Sequence, residues 1–237
     1  MSARPAPVWS FRQAVKPGIA AVRGHWPALV LIQVGAVALV LSYYRFPALQ
    51  EIAQREADLK LRYGVWFAFA LGMLAGGVVP ETAKLLTGGL RRFDRAWLAD
   101  STYNALVYGG VGASVDLFYR FQAFTFGPQH NVGTLIVKTA VDMVLFAPII
   151  SIPSATFLYA WRREKYRPLA VFRDGFRSFY MQQVMPGLIP AWFFWTPVLF
   201  CTYAMPDNLQ LCFSMLAEAA WSIVFVFIAK RDHAPPP

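Results

Sequence analysis

Apolar runs long enough to cross a bilayer, separated by connections that hold most of the charge, leave this chain very few ways to fold. Trp26 to Tyr44 passes without a charged residue and has aromatic residues at both ends, the pattern of a span meeting water at two interfaces. A helix of about 20 apolar residues covers the ~30 Å of hydrocarbon in a bilayer. Of 237 residues, 57% are hydrophobic and 15% charged, against roughly 25% charged in soluble domains. The expected fold is all-α: a polytopic transmembrane helical bundle of about six membrane helices (five to six) with surface amphipathic helices. It occupies residues 1–237 as a single integral membrane domain.

The net charge of +9 would point a soluble protein toward nucleic acid. Here no basic domain stands free of the apolar blocks, so the expected partner is anionic lipid headgroups and not nucleic acid. Arg4, Arg12, Lys16 and Arg23 precede the first acid, Glu51. They fit an uncleaved flank of the first span better than a mitochondrial presequence, and a cleaved secretory signal fits badly. Cys201 and Cys212 read as small buried hydrophobes.

After the first span, Pro47 opens a polar helix through Arg62. Its Glu51–Arg55, Glu56–Lys60 and Asp58–Arg62 pairs are spaced i to i+4, and Leu49, Ile52, Ala53 and Ala57 form a weak apolar stripe. A second span covers Tyr63 to Val79, holds Gly72 and Gly76 at a spacing that lets another helix approach closely, and is expected to stop at Pro80-Glu81. Arg91-Arg92-Phe93-Asp94-Arg95 leads to a third span, Trp97 to Tyr119. Its Ser101, Thr102, Asn104, Gly109, Gly110, Gly112, Ala113 and Ser114 suit a helix enclosed by neighbours. A fourth, Gly133 to Trp161, contains Pro148 and Pro153, which should kink or break it.

Arg162 to Pro186 carries six basic residues, with Leu169, Phe172, Phe176 and Phe179 at helical spacing. The expectation is an amphipathic helix on the membrane surface. Leu188 to Ala204, with Pro190 and Pro197, either spans or is re-entrant. Met205-Pro206-Asp207-Asn208 turns the chain, and Leu209 to Ala229 returns it. With six spans, sixteen of the 22 Lys and Arg fall on the side of the termini and six on the other. That bias puts both termini on the cytoplasmic or matrix side.

Acids within apolar segments are expensive, by roughly 2.5–3.5 kcal/mol at a helix centre. Asp116 has Arg120 four residues on, Asp142 has Lys138 four residues back, and Glu218 has no basic residue within a turn. The first two pairs can neutralise locally and pin helices; alternatively these five residues line an interior path. Glu218 must find a partner on another helix, meet water, or hold a proton.

Signatures of catalysis are mostly absent from the sequence. His25, His130 and His233 are scattered, and no metal-binding spacing, phosphate loop or nucleophile elbow occurs. Asp174-Gly175 alone does not supply the carboxylates that magnesium needs. Neither a cofactor nor a metal is expected.

Three elements resemble a known family. Gly112-Ala113-Ser114-Val115-Asp116-Leu117-Phe118-Tyr119 is similar to a Gly-Pro-x-x-His-x-Trp-Tyr element, matching at Gly112 and Tyr119 and departing at Ala113, Asp116 and Phe118. Lys138, Asp142 and Pro148 match a Lys-x-x-x-Asp-Gln-x-x-x-x-Pro element, with Met143 in place of glutamine. Trp195, Pro197, Tyr203, Pro206 and Trp221 follow a C-terminal series of tryptophan, proline, aromatic, proline and tryptophan. Over about 75–231 the chain thus resembles the family of the twenty-two-kilodalton peroxisomal membrane protein and the mitochondrial Mpv-seventeen protein. Residues 1–62, with the extra span, then form an N-terminal extension. The family's Gly-Asp-x-x-x-Gln element is not recognisable around 76–84, as in a divergent, bacterial member.

The resemblance implies a small multi-span protein with channel-like activity and no established catalysis. The membrane would be a bacterial inner membrane, or a mitochondrial inner or peroxisomal one in a eukaryote. Three functions follow: permeation of a small solute or ion, a structural or scaffold role that includes a homo-oligomer, and a lipid-active membrane enzyme.

Overall fold

The computed structural model describes residues 10–86, 94–127, 129 and 131–232, the last of these without side chains from 224 on. Arg4, Arg91, Arg92, Phe93, His130 and His233 lie outside the described residues. Every regular element among the described residues is helical. In chain order they are α1 (Phe11–Arg45), α2 (Pro47–Tyr63), α3 (Val65–Leu86), α4 (Arg95–Phe126), α5 (Val132–Arg163), α6 (Pro168–Val171), α7 (Phe176–Ala204) and α8 (Gln210–Asp232). Four of them, α1, α3, α5 and α7, are long and apolar enough to cross a membrane.

Three of these helices contain wide π turns, at Met73–Val78, Asp142–Ser151 and Tyr180–Val184. Prolines explain where the turns fall. A proline inside a helix has no N–H to donate, and its ring clashes with the carbonyl four residues back. Widening the turn moves that carbonyl away and shifts hydrogen bonding to i→i+5. Each stretch accordingly has a wide bond given by the residue just before a proline. Val79 N donates to Leu74 O ahead of Pro80, Ile152 N to Ala147 O ahead of Pro153, and Met185 N to Tyr180 O ahead of Pro186. Pro80 therefore does not end α3, which runs on to Leu86, and Pro148 and Pro153 widen α5 without breaking it.

The chain clusters into two compact units, Met1–Trp26 with Ala140–Thr196, and Pro27–Thr139 with Pro197–Pro237. The first has a core of Ala14, Ala160, Val171, Phe179, Val184, Met185 and Leu188. Within it the carbonyls freed by proline receive side-chain donors. In the widened register Met143 O would bond to residue 148, a proline; the Trp192 indole N–H donates to it at 2.8 Å. Pro148 O would bond to residue 153, also a proline, and the Tyr180 hydroxyl donates to it at 2.8 Å. Non-helical backbone bonding at membrane depth survives when protein groups satisfy it in this way.

In this unit the expected surface helix from Arg162 is corrected. Arg162 to Pro186 holds two one-turn helical stretches, α6 and the start of α7, and its aromatic residues pack on protein. The end of α5 is closed by Tyr166 N bonded to Trp161 O at 2.8 Å and Lys165 N bonded to Arg162 O at 3.0 Å. Lys165 (φ 52) and Tyr166 (φ 62) are left-handed, and the Tyr166 ring stands edge-on to Trp161 at 5.2 Å. This is a Schellman closure with its apolar contact, built without the usual glycine and so unmarked in sequence. Phe157 stacks on Phe172 at 5.6 Å, and Phe172 and Phe179 turn toward the core while Leu169 and Phe176 stay exposed.

The second unit is centred on α3 against α4. Cβ atoms added at Gly72 and Gly76 would collide with the Tyr108 carbonyl and the Tyr108 ring, respectively. One at Gly112 would sit 2.5 Å from Ala68 O and 3.0 Å from the Gly72 Cα. Gly77 lies against Ala105, so α4 runs antiparallel to α3. On another side of α3, Ala68 and Ala75 pack with Leu211 and Met215 of α8. Pro80 of α3 frees Ala75 O in the wide register and Gly76 O in the ordinary one. Ser222 Oγ donates to the former at 3.0 Å and Asn104 Nδ2 to the latter at 3.0 Å.

Gly112→Val should destabilise the protein by ~1–3 kcal/mol through overpacking. Gly110→Ala, where nothing lies within 4 Å, should be neutral or stabilising. Reversible unfolding in mixed micelles compares the two.

Candidate functional site

Most of the polar side chains that matter gather in the second unit, at the ends of α2, α4 and α7 and the start of α8. Asp116 is 0% exposed. Its Oδ2 lies 2.6 Å from Arg120 Nη2, the expected i,i+4 pair, and its Oδ1 lies 3.1 Å from Lys60 Nζ. Lys60 was expected to face Glu56 on its own helix. It continues the line of half-buried Ala53 and buried Ala57 on α2 instead, which is the signal the sequence offered. The same ammonium reaches the Asp207 carbonyl at 3.5 Å.

Lys138 is 1% exposed, and its ammonium stands 3.8 Å from Asp207 Oδ1. An anion it meets is therefore on the 205–208 turn, a partner that the i,i+4 spacing to Asp142 did not suggest. Asp142 is buried in the first unit and is itself partnered. Gln210 Nε2 also donates to Asp207 Oδ1, at 2.9 Å. Below this layer Gln122 Nε2 donates to the Tyr203 hydroxyl at 2.6 Å, and Tyr119 meets the Tyr203 ring edge-on at 5.4 Å. Tyr44 donates to Ala204 O at 2.6 Å, satisfying a carbonyl at the end of α7.

The remaining sequence candidates are structural in placement. Trp195, half-buried on α7, meets Phe194 edge-on at 5.1 Å. Pro197 is exposed on the same helix, and Trp221 is half-buried on α8. Pro206 O accepts from Leu209 N at 2.8 Å and starts the turn into α8. Cys201 and Cys212 are free thiols.

Glu218 stands apart. It is 8% exposed, in the middle of α8, one turn before Ser222. No cation or hydrogen-bond donor among the described residues holds it. Asp116 is shared by two cations and Asp207 by a lysine and an amide, whereas this carboxyl is enclosed without either. No family model, curated protein or solved structure matches the chain.

Removing one partner of a buried pair costs about 3–5 kcal/mol. Asp116→Asn, which strands Lys60, should approach that cost. Arg120, 51% exposed, pairs across solvent, and Arg120→Gln should cost no more than ~1 kcal/mol. Denaturation of the two variants in the same detergent gives the comparison.

Proposed function

We propose that this is a non-enzymatic integral membrane protein, similar in kind to the Mpv-seventeen family, that lets a small solute or ion cross the bilayer. The reading has six crossings, with α4 and α8 joining α1, α3, α5 and α7, and both termini on the cytoplasmic or matrix side. In its support, α4 runs antiparallel to α3 through the glycine contact, and Leu211 and Ser222 of α8 follow Ala68 and Ala75 of α3 in the same sense. A bacterial inner membrane suits the basic bias of the connections.

Glu218 is the observation that carries permeation. An acid in a membrane helix is retained against its cost when it serves a path or a relay, and this one does no evident work in packing. Asp116, Arg120 and Lys138 would form the polar rim of that path on the 205–208 side.

A second reading, a scaffold or homo-oligomer without flux, is favoured by the neutralised Asp116 and the tight α3–α4 contact. An Asp142→Asn protein that is stable and correctly assembled but functionally dead would sink the scaffold reading.

Stopped-flow swelling of liposomes carrying the purified protein tests permeation. Wild type should pass small solutes or ions faster than empty vesicles do, and Glu218→Gln should change that rate. Fluxes of both proteins equal to empty vesicles, across solutes and imposed potentials, would reject it.

A further inference from the structure

Glu218 stands in a line of buried polar side chains that Ser222 continues. Gln210 and Ser214, each 1% exposed, precede it on α8 at steps of four residues, which places them along one side of the helix. Four residues rise about 6 Å. That is too far for a direct hydrogen bond but is the span that one bridging water covers. At the upper end Gln210 Nε2 bonds to Asp207 Oδ1 at 2.9 Å and Met205 O at 3.2 Å, and the Asp207 side chain is 33% exposed. A chain of polar groups thus leads from a solvent-reaching turn to an enclosed acid.

The chemistry at that acid narrows what the line could carry. Metal cations bound by oxygen require about six or more ligands. Here there is one carboxyl, the Ser214 hydroxyl is given to Leu211 O at 2.9 Å, and no group of three metal-ligating side chains occurs among the described residues. An anion would meet a carboxylate with no cation beside it. A proton needs only the carboxyl.

Most other ionisable groups of the packed elements have partners of their own. α3 has none before Glu81, which pairs with Lys84 at 2.6 Å. On α4, Asp116 is held by Lys60 and Arg120, and the Tyr108 ring lies over Gly76. On α8 itself, Cys212 precedes Glu218 by six residues.

We propose that Glu218 is the proton-binding group of the permeation path, loaded from the 205–208 turn along Gln210 and Ser214. Uptake joins the carboxylate to a proton delivered by hydronium and leaves carboxylic acid and water; no electrons move. Because Gln210 and Ser214 are closed over by their neighbours, loading requires α8 to move against α3. This assignment rests on the permeation reading and names its solute.

The test uses the full chain in liposomes with a trapped pH-sensitive dye, the potential clamped with potassium and valinomycin. Solute swelling is measured on the same vesicles. Infrared difference spectra of wild type against Glu218→Gln are taken across a pH series. The expected result is protein-dependent proton flux that falls to the empty-vesicle level in Glu218→Gln and slows in Ser214→Val. A carboxylic-acid band absent from Glu218→Gln should rise and fall with bulk pH. Equal proton flux in wild type and Glu218→Gln, in vesicles that do pass solute, overturns the proton assignment and leaves permeation standing. A titrating band with no flux of any kind overturns permeation and the path, while supporting Glu218 as the proton-binding group. A band that does not respond to pH overturns the proposal whatever the flux. If Glu218→Gln does not fold, the same band must shift in Glu218→Asp, and a band that stays in place counts against the assignment.

Discussion

The interaction on which this fold most depends is the hydrogen bond given to a backbone carbonyl that a proline has left without its amide. In lipid such a carbonyl cannot turn to water, and each one left bare costs several kcal/mol. Trp192 and Tyr180 supply the missing donors to Met143 and Pro148, and Ser222 and Asn104 do so for Ala75 and Gly76. Every one of these bonds joins separate helices. The prolines therefore create the demand for specific contacts, and apolar packing alone would not select the same partners.

Charge is handled by a related rule. Asp116 and Lys138 are admitted to the interior because partners meet them from other segments, Lys60 from α2 and Asp207 from a turn. α2 looks like a solvated helix, yet it turns one lysine inward to hold α4. Such groups rigidify a bundle when fully paired. Glu218 lacks that compensation among the described residues, which sets it apart from the paired layer.

The helical class and the long apolar spans were legible because composition and block length express them directly. The Asp116–Arg120 pair was legible too, since both residues share one helical face. Lys60 and Asp207 were not, because their pairing depends on tertiary approach between segments far apart in sequence. Pro148 and Pro153 announced a disturbance of α5 but not its form, since the outcome depended on whether donors such as Trp192 stood opposite. The closure at Lys165 and Tyr166 was not legible for a simpler reason: no glycine marks its left-handed residues.

The most direct measurement is a double-mutant cycle between Pro148 and Trp192, read by reversible unfolding in detergent. Trp192→Phe in the wild-type background removes the donor to Met143 O and should cost ~1–2 kcal/mol beyond lost contact area. In a Pro148→Ala background the restored amide can serve that carbonyl, and the same substitution should cost only its lost contacts. Equal costs of Trp192→Phe in the two backgrounds would contradict the account, because the indole would then be doing nothing that the proline had made necessary.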